Sequence, residues 1–184
     1  MHLMRIVYVA LTLATLVASP AFAQSRVPDT GMMAAGGEVG FFVPDDEFET
    51  APIFGGLFEY YVTPRVGLRG SVMFTDPEFE RGTDDSLRHA RIGFDVIYNW
   101  ERGKWHPFVG GGLAAHRLQV RENGRSLGDS QTELGGTGLG GVEYFFNRRT
   151  TFKIEGRVHF VEDFGPSDPS GVSATFGIKY YFGG

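Results

Sequence analysis

Three histidines and one serine are the residues whose types are suited to hydrolytic chemistry. His89, His116 and His159 are candidate general bases, and Ser173 is a candidate nucleophile. Such a site needs the histidine within hydrogen-bond reach of the serine, and the motif we looked for places both in one strand. His159 is instead followed by Phe160-Val161-Glu162. We therefore predict no catalytic residue.

A glycine-rich stretch suggests a second chemistry, the binding of a dinucleotide. Residues 136–141 fit G-x-G-x-x-G, which binds phosphate when a strand precedes it and a helix follows. Here Val142-Glu143-Tyr144-Phe145-Phe146 follows and reads as the end of a strand. Glycines there suit tight curvature and close packing. No histidine or carboxylate pair has metal-ligand spacing, so we predict neither a cofactor nor a metal.

The N-terminus predicts export. Arg5 precedes an apolar run from Ile6 to Ala18, then Pro20 and the small-residue triplet Ala21-Phe22-Ala23. This is the pattern of a cleaved signal peptide over residues 1–23, and its apolar run falls short of the roughly 20 residues of a spanning helix. We predict a short periplasmic segment over 24–31 and a folded domain over 32–184.

Composition excludes several partners. The chain of 184 residues has a net charge of −5, which argues against nucleic acid as a partner, and it has no cysteine for disulfides or thiolate metal sites. Beyond Ala23, glycines and charges interrupt every apolar run. A membrane location would therefore require a closed β-barrel, the alternative to spanning helices.

From about Met32 to Phe182, eight segments alternate in polarity, which is the signature of strands. In the clearest ones, apolar residues such as Val96 and Ile154 alternate with charged ones such as Asp95 and Lys153. The four clear segments are 66–75, 89–100, 151–160 and 172–182, and the softer ones are 34–43, 52–62, 107–120 and 132–146. In the segment 107–120, glycines occur on both faces, so the pattern does not show which face points into the barrel.

The connections alternate in length, and their charges differ. Long ones are predicted at 44–51, 76–88, 121–131 and 161–170, and short ones at 63–65, 101–106 and 147–149. Long external loops with tight periplasmic turns are typical of bacterial outer-membrane barrels.

The long connections at 44–51, 76–88 and 161–170 are rich in Asp and Glu, whereas the short ones hold Arg65, Arg102, Lys104, Arg148 and Arg149. The acidic loops either form a solvated face or bind divalent cations next to lipopolysaccharide.

Aromatic residues crowd the strand ends next to the short turns. Amphipathic rings at one level form an interfacial girdle. The predicted girdle consists of Tyr60, Tyr98, Trp100, Trp105, Tyr144, Tyr180 and Phe182.

The charged faces of the segments predict a polar network inside the barrel. Eight strands leave a lumen that side chains just fill, so charges of both signs should pair there. The predicted network comprises Glu59, Arg69, Arg91, Asp95, Glu143, Lys153, Glu155, Arg157 and Lys179.

The Gly-rich stretches PFVGGGLAAHR and GGTGLGGVEYFF and the final ATFGIKYYF, together with the eight segments, resemble the OmpA/OmpX-type outer-membrane β-barrel domain. The resemblance covers essentially the whole mature chain. It implies that the last strand is read by the barrel assembly machinery, and Phe176, Ile178, Tyr180 and Phe182 match that signal. Gly183 and Gly184 follow the aromatic that usually ends such chains.

The sequence thus predicts an all-β protein, an eight-stranded antiparallel up-and-down transmembrane barrel in the outer membrane. We expect a monomer with a structural or surface-interaction role, in contact with outer-membrane lipid and lipopolysaccharide. A narrow conduit for ions or small solutes is the alternative, and a lipid-modifying enzyme is a third. A soluble lipocalin-like barrel fits less well, because the Lys- and Glu-rich faces are too polar to line an apolar cavity.

Overall fold

The chain folds into a single closed sheet. The computed structural model describes residues 28–44, 50–75, 85–122, 125–126, 131–161 and 170–183. The barrel strands are β1 (Met33–Pro44), β2 (Ala51–Tyr61), β3 (Val66–Thr75), β4 (Asp85–Asn99), β5 (Trp105–Glu122), β6 (Gln131–Phe145), β7 (Thr150–Val161) and β8 (Gly171–Phe182). The predicted eight-stranded antiparallel barrel is confirmed.

Each barrel strand pairs antiparallel with the next one along the chain. The barrel closes where β1 pairs with β8, in a register that sets Met33 opposite Phe182 and Pro44 opposite Gly171. Closure leaves none of the eight described barrel strands at an edge, so the backbone groups of the wall bond to one another. No helix in the described ranges is long and apolar enough to cross a membrane.

The strand bounds differ from the predicted ones mainly at the long connections. Strand β4 begins at Asp85, four residues before the predicted segment, and β5 continues to Glu122. A two-residue strand, Arg125–Ser126, pairs back onto the end of β5. The ladder therefore extends into stretches that were predicted as the long connections 76–88 and 121–131. The predicted signal peptide and most of the predicted long connections lie outside the described residues.

Two of the short turns, at Thr63 and at Asn147, are held by side-chain hydrogen bonds to their own backbone. Thr63 Oγ1 accepts a hydrogen bond from the Val66 N–H at 3.0 Å. Asn147 Oδ1 accepts bonds from the N–H groups of Arg149 at 2.8 Å and Thr150 at 2.9 Å. Thr and Asn favour such turns because their short side chains reach the backbone two or three residues ahead.

The two faces of the wall differ as the alternation predicts. Polar side chains point inward, and apolar ones such as Phe94, Ile92 and Ile178 are exposed on the outside. A water-soluble barrel would show the reverse. The structure also shows which face of β5 points inward, because Phe108 is buried while Leu113 on the opposite face is 73% exposed.

Candidate functional site

In the part of the chain that the structure describes, five cations and five carboxylates of the lumen form one continuous network. All nine residues predicted for this network are buried within the wall. The tenth is Glu38 on β1, whose carboxylate accepts a hydrogen bond from Lys153. Glu38 was absent from the predicted set because glycines on both sides of it blur the alternation of its strand.

Glu155 on β7 is the centre of the network. Its carboxylate contacts three cations: Arg69, Lys153 at 3.0 Å and Arg157 at 2.9 Å. Lys153 and Arg157 lie on the same strand as Glu155, whereas Arg69 lies on β3, so the Arg69–Glu155 pair crosses the lumen. A carboxylate held by several donors offsets much of the cost of burying its charge.

Two branches extend the network toward the short turns. Glu59 accepts bonds from Arg69 Nε and Lys179 Nζ, both at 2.5 Å. Lys179 also contacts Glu143 at 2.5 Å. Arg69 lies over the Phe108 ring, with its guanidinium carbon 5.3 Å from the ring centroid. The charges are thus packed against aromatic surface as well as against one another.

A third branch runs toward the long connections through Asp95. Arg157 donates to Asp95 at 2.9 Å and Thr137 donates at 2.6 Å, whereas Arg91 approaches it only to 3.7 Å. Arg91 also donates to Ser71 Oγ at 2.9 Å, and its Nε and Nη2 have no hydrogen-bond partner in the described part of the chain. Arg91 is therefore the most weakly paired cation of the network.

An aromatic floor, defined by Tyr61, Phe145 and Tyr181, lies inside the barrel at the end of the short turns. The Tyr61 hydroxyl donates to Glu59 and the Tyr181 hydroxyl donates to Glu143, each at 2.7 Å. These three rings are the inward members of the aromatic clusters that predicted the girdle. The floor thus joins the ionic network to the end of the barrel.

A histidine layer, defined by His89, His116 and His159, lies at the end of the long connections. His89 Nε2 and His116 Nδ1 share a hydrogen bond of 2.8 Å, and the Phe42 ring contacts both His89 and His159 edge-on. Among the described residues, no group of three or more His, Asp or Glu is arranged to hold a metal ion. The three imidazoles fill this end of the lumen with buried polar side chains.

The structure corrects one detail of the sequence interpretation, because a histidine and a serine do meet. His159 Nε2 lies 2.9 Å from Ser173 Oγ on the neighbouring strand β8. The contact joins two neighbouring strands, so no motif within one strand indicates it. His159 Nδ1 has no partner in the described residues, so no carboxylate orients this imidazole as a catalytic triad requires.

The predicted girdle residues lie on the outer wall next to the short turns. Tyr60, Tyr98, Trp100, Trp105 and Tyr180 are exposed, and Tyr144 and Phe182 are half-buried. Neighbouring rings touch, as in the pair Trp105 and Tyr144 with centroids 4.7 Å apart. The four residues of the predicted assembly signal, Phe176, Ile178, Tyr180 and Phe182, share the outward face of β8.

A closed antiparallel barrel with an apolar outer wall and a charged interior is an integral membrane β-barrel. The sequence matches the family described as "Outer membrane protein beta-barrel domain" over residues 9–182, so the chain belongs to this family. No curated protein matches the sequence significantly. The resemblance inferred from the sequence is confirmed, and the chain is an outer-membrane barrel protein.

Solved structures show the same fold at low sequence identity. The outer membrane protein OprG from Pseudomonas aeruginosa is 14% identical with a TM-score of 0.66, covering 85% of this chain and 98% of that one. The N-terminal β-barrel domain of Pseudomonas aeruginosa OprF is 15% identical with a TM-score of 0.63, covering 83% and 98%. Ail, the attachment invasion locus protein of Yersinia pestis, is 14% identical with a TM-score of 0.59, covering 83% and 99%.

Proposed function

We propose that this protein is a non-conducting outer-membrane barrel with a structural or surface-interaction role. The observation that carries the proposal is the ionic network centred on Glu155, which joins charges from seven of the eight strands across the lumen. Eight strands leave room for about one side chain from each wall, and paired charges hold one another in place. Such a filling excludes a continuous column of water.

Conductance in planar lipid bilayers tests this proposal. The purified protein should show little or no steady current at moderate voltage. Glu155→Ala should leave cations unpaired and raise any residual conductance or lower thermal stability. Large and reproducible channels from the unmodified protein would instead establish the alternative, a narrow conduit for ions or small solutes.

A catalytic role is not part of the proposal. His159 and Ser173 are both buried in the lumen, away from the lipid that an outer-membrane hydrolase must reach. A refolded sample should therefore leave fluorogenic phospholipid esters intact. Hydrolysis that disappears in Ser173→Ala would make the third alternative, a lipid-modifying enzyme, the correct one.

The cellular route follows from the sequence features of the two ends. We propose that the signal peptide over residues 1–23 is removed on export and that the outward residues of β8 are read by the barrel assembly machinery. The mature protein then sits as a monomer among outer-membrane lipid and lipopolysaccharide, with the short turns in the periplasm. A detergent-refolded sample should run faster on an electrophoretic gel before boiling than after, because a stable barrel stays compact until heated.

A further inference from the structure

We propose that the short turns form a cationic ring that binds the headgroups of anionic phospholipids in the periplasmic leaflet of the outer membrane. The ring consists of Arg65, Arg102, Lys104, Arg148 and Arg149. The proposal goes beyond the role of the lumen. It rests on the periplasmic placement of the short turns in the proposed function.

The short turns carry a strong excess of positive charge. The three turns, residues 62–65, 100–104 and 146–149, carry five cations against one carboxylate, Glu101. All five cations are exposed. Arg65, Lys104, Arg148 and Arg149 have no carboxylate within 4.0 Å in the described ranges, whereas Arg102 makes an interaction within the protein. Among the described residues, these four cations therefore have no carboxylate partner and face the surroundings.

The position of these cations matches the depth of lipid headgroups. Lys104 directly precedes the exposed Trp105, and Arg149 donates to the hydroxyl of the girdle residue Tyr180 at 3.5 Å. Aromatic girdles mark the boundary between hydrocarbon and headgroups. Side chains of Arg and Lys that leave the wall at this boundary reach the phosphate layer.

The distribution of the cations favours a lipid leaflet over a soluble anion or a protein partner. The turns join β2 to β3, β4 to β5 and β6 to β7, so the cations are spread around the rim instead of forming one patch. A leaflet surrounds the barrel and meets every turn at once. Each cation near an anionic surface contributes modestly, and the contributions add around the ring.

Lipid retention measured by native mass spectrometry tests the proposal. The refolded protein is presented with equal amounts of phosphatidylglycerol and phosphatidylcholine of the same chain length in mixed micelles. We expect phosphatidylglycerol to be retained about three- to tenfold over phosphatidylcholine, and the ratio to fall toward one in Arg65→Gln/Lys104→Gln/Arg148→Gln/Arg149→Gln. Glu101→Gln on the same rim is the matched control and should keep or raise the preference.

A second measurement needs only the unmodified protein. Raising the salt concentration from about 0.05 to about 0.5 M should weaken the preference, because screening shortens the reach of exposed charges. The proposal is overturned if the unmodified protein shows no preference or if the fourfold variant keeps it. Binding to purified peptidoglycan that is lost in the fourfold variant, without any lipid preference, would assign the ring to that polymer and also overturn it. Because micelles present both ends of the barrel, these results do not depend on orientation in the cell.

Discussion

Glu38 and Lys153 lie 115 positions apart in the chain and form an ion pair inside the barrel. They belong to β1 and β7, which do not pair with each other because β8 lies between them. Their contact therefore depends on closure of the whole barrel. It links the first strand of the wall to the central carboxylate, Glu155, through Lys153.

Removing the carboxylate of Glu38 tests how much this contact contributes to the free energy of unfolding. Glu38→Gln leaves Lys153 with Glu155 alone, and we expect a loss of about 3 kcal/mol in the free energy of unfolding, since one partner of a buried pair is removed. Urea unfolding in lipid vesicles, followed by Trp fluorescence, measures the change. Glu101→Gln, on an exposed turn, should stay within about 0.5 kcal/mol. An equal effect at both positions would contradict the role assigned to Glu38.

Charge on the lipid-facing wall should be far more harmful than charge in the lumen. Ile154 and Val96 are exposed on the outer wall, so Ile154→Arg or Val96→Arg should cost about 2–4 kcal/mol near the midplane of the bilayer. Lys153→Arg, one position from Ile154, keeps its charge inside and serves as the control. The measurement is folding efficiency in lipid vesicles, and equal yields would refute the facing of β7.

Two glycines of similar sequence context should respond differently to the same substitution. A Cβ on Gly112 would overlap the carbonyl oxygen of Phe94 and lie 2.7 Å from Asp95 Cα, whereas a Cβ on Gly138 would meet no atom within 4 Å. We expect Gly112→Ala to cost about 1–3 kcal/mol through forced backbone shifts, and Gly138→Ala to be neutral. Thermal melting in detergent compares them. A stable Gly112→Ala barrel would show that β4 and β5 can separate at low cost.

The absence of cysteine from the chain allows a clean test of orientation. Thr50, next to a long connection, and Lys104, in a short turn, are both exposed. A membrane-impermeant maleimide added to intact cells should label Thr50→Cys and not Lys104→Cys. Lysis should then make Lys104→Cys reactive. Labelling of Lys104→Cys in unbroken cells would reverse the proposed topology.

Strand facing was predictable wherever charges alternate with apolar residues. On β7, Lys153, Glu155 and Arg157 mark one face so clearly that their side of the wall follows from period two alone. On β5, glycine occupies both faces from Gly110 to Gly112, so no pattern could distinguish inside from outside. The packing of Phe108 against Ile97 and Leu139 settles this phase, and that contact involves three strands.

Contacts across the ladder were the part that the sequence could not supply. His159 and Ser173 meet because of the register between β7 and β8, in which Arg157 lies opposite Ser173. Register depends on turn geometry and on the fit of both faces, not on any motif within one strand. Likewise, the inward rings of Tyr61 and Phe145 can be distinguished from the outward girdle rings only when the facing of each strand is known.

The pairing of β1 with β8 joins the first and the last barrel strand along one seam. Since the seam needs the last strand, a chain truncated before Gly171 would present two unpaired edges, each with unsatisfied N–H and C=O groups. Hydrocarbon does not tolerate such edges, so stable insertion requires the strand Gly171–Phe182. Only copies that include the strand Gly171–Phe182 can therefore close the barrel.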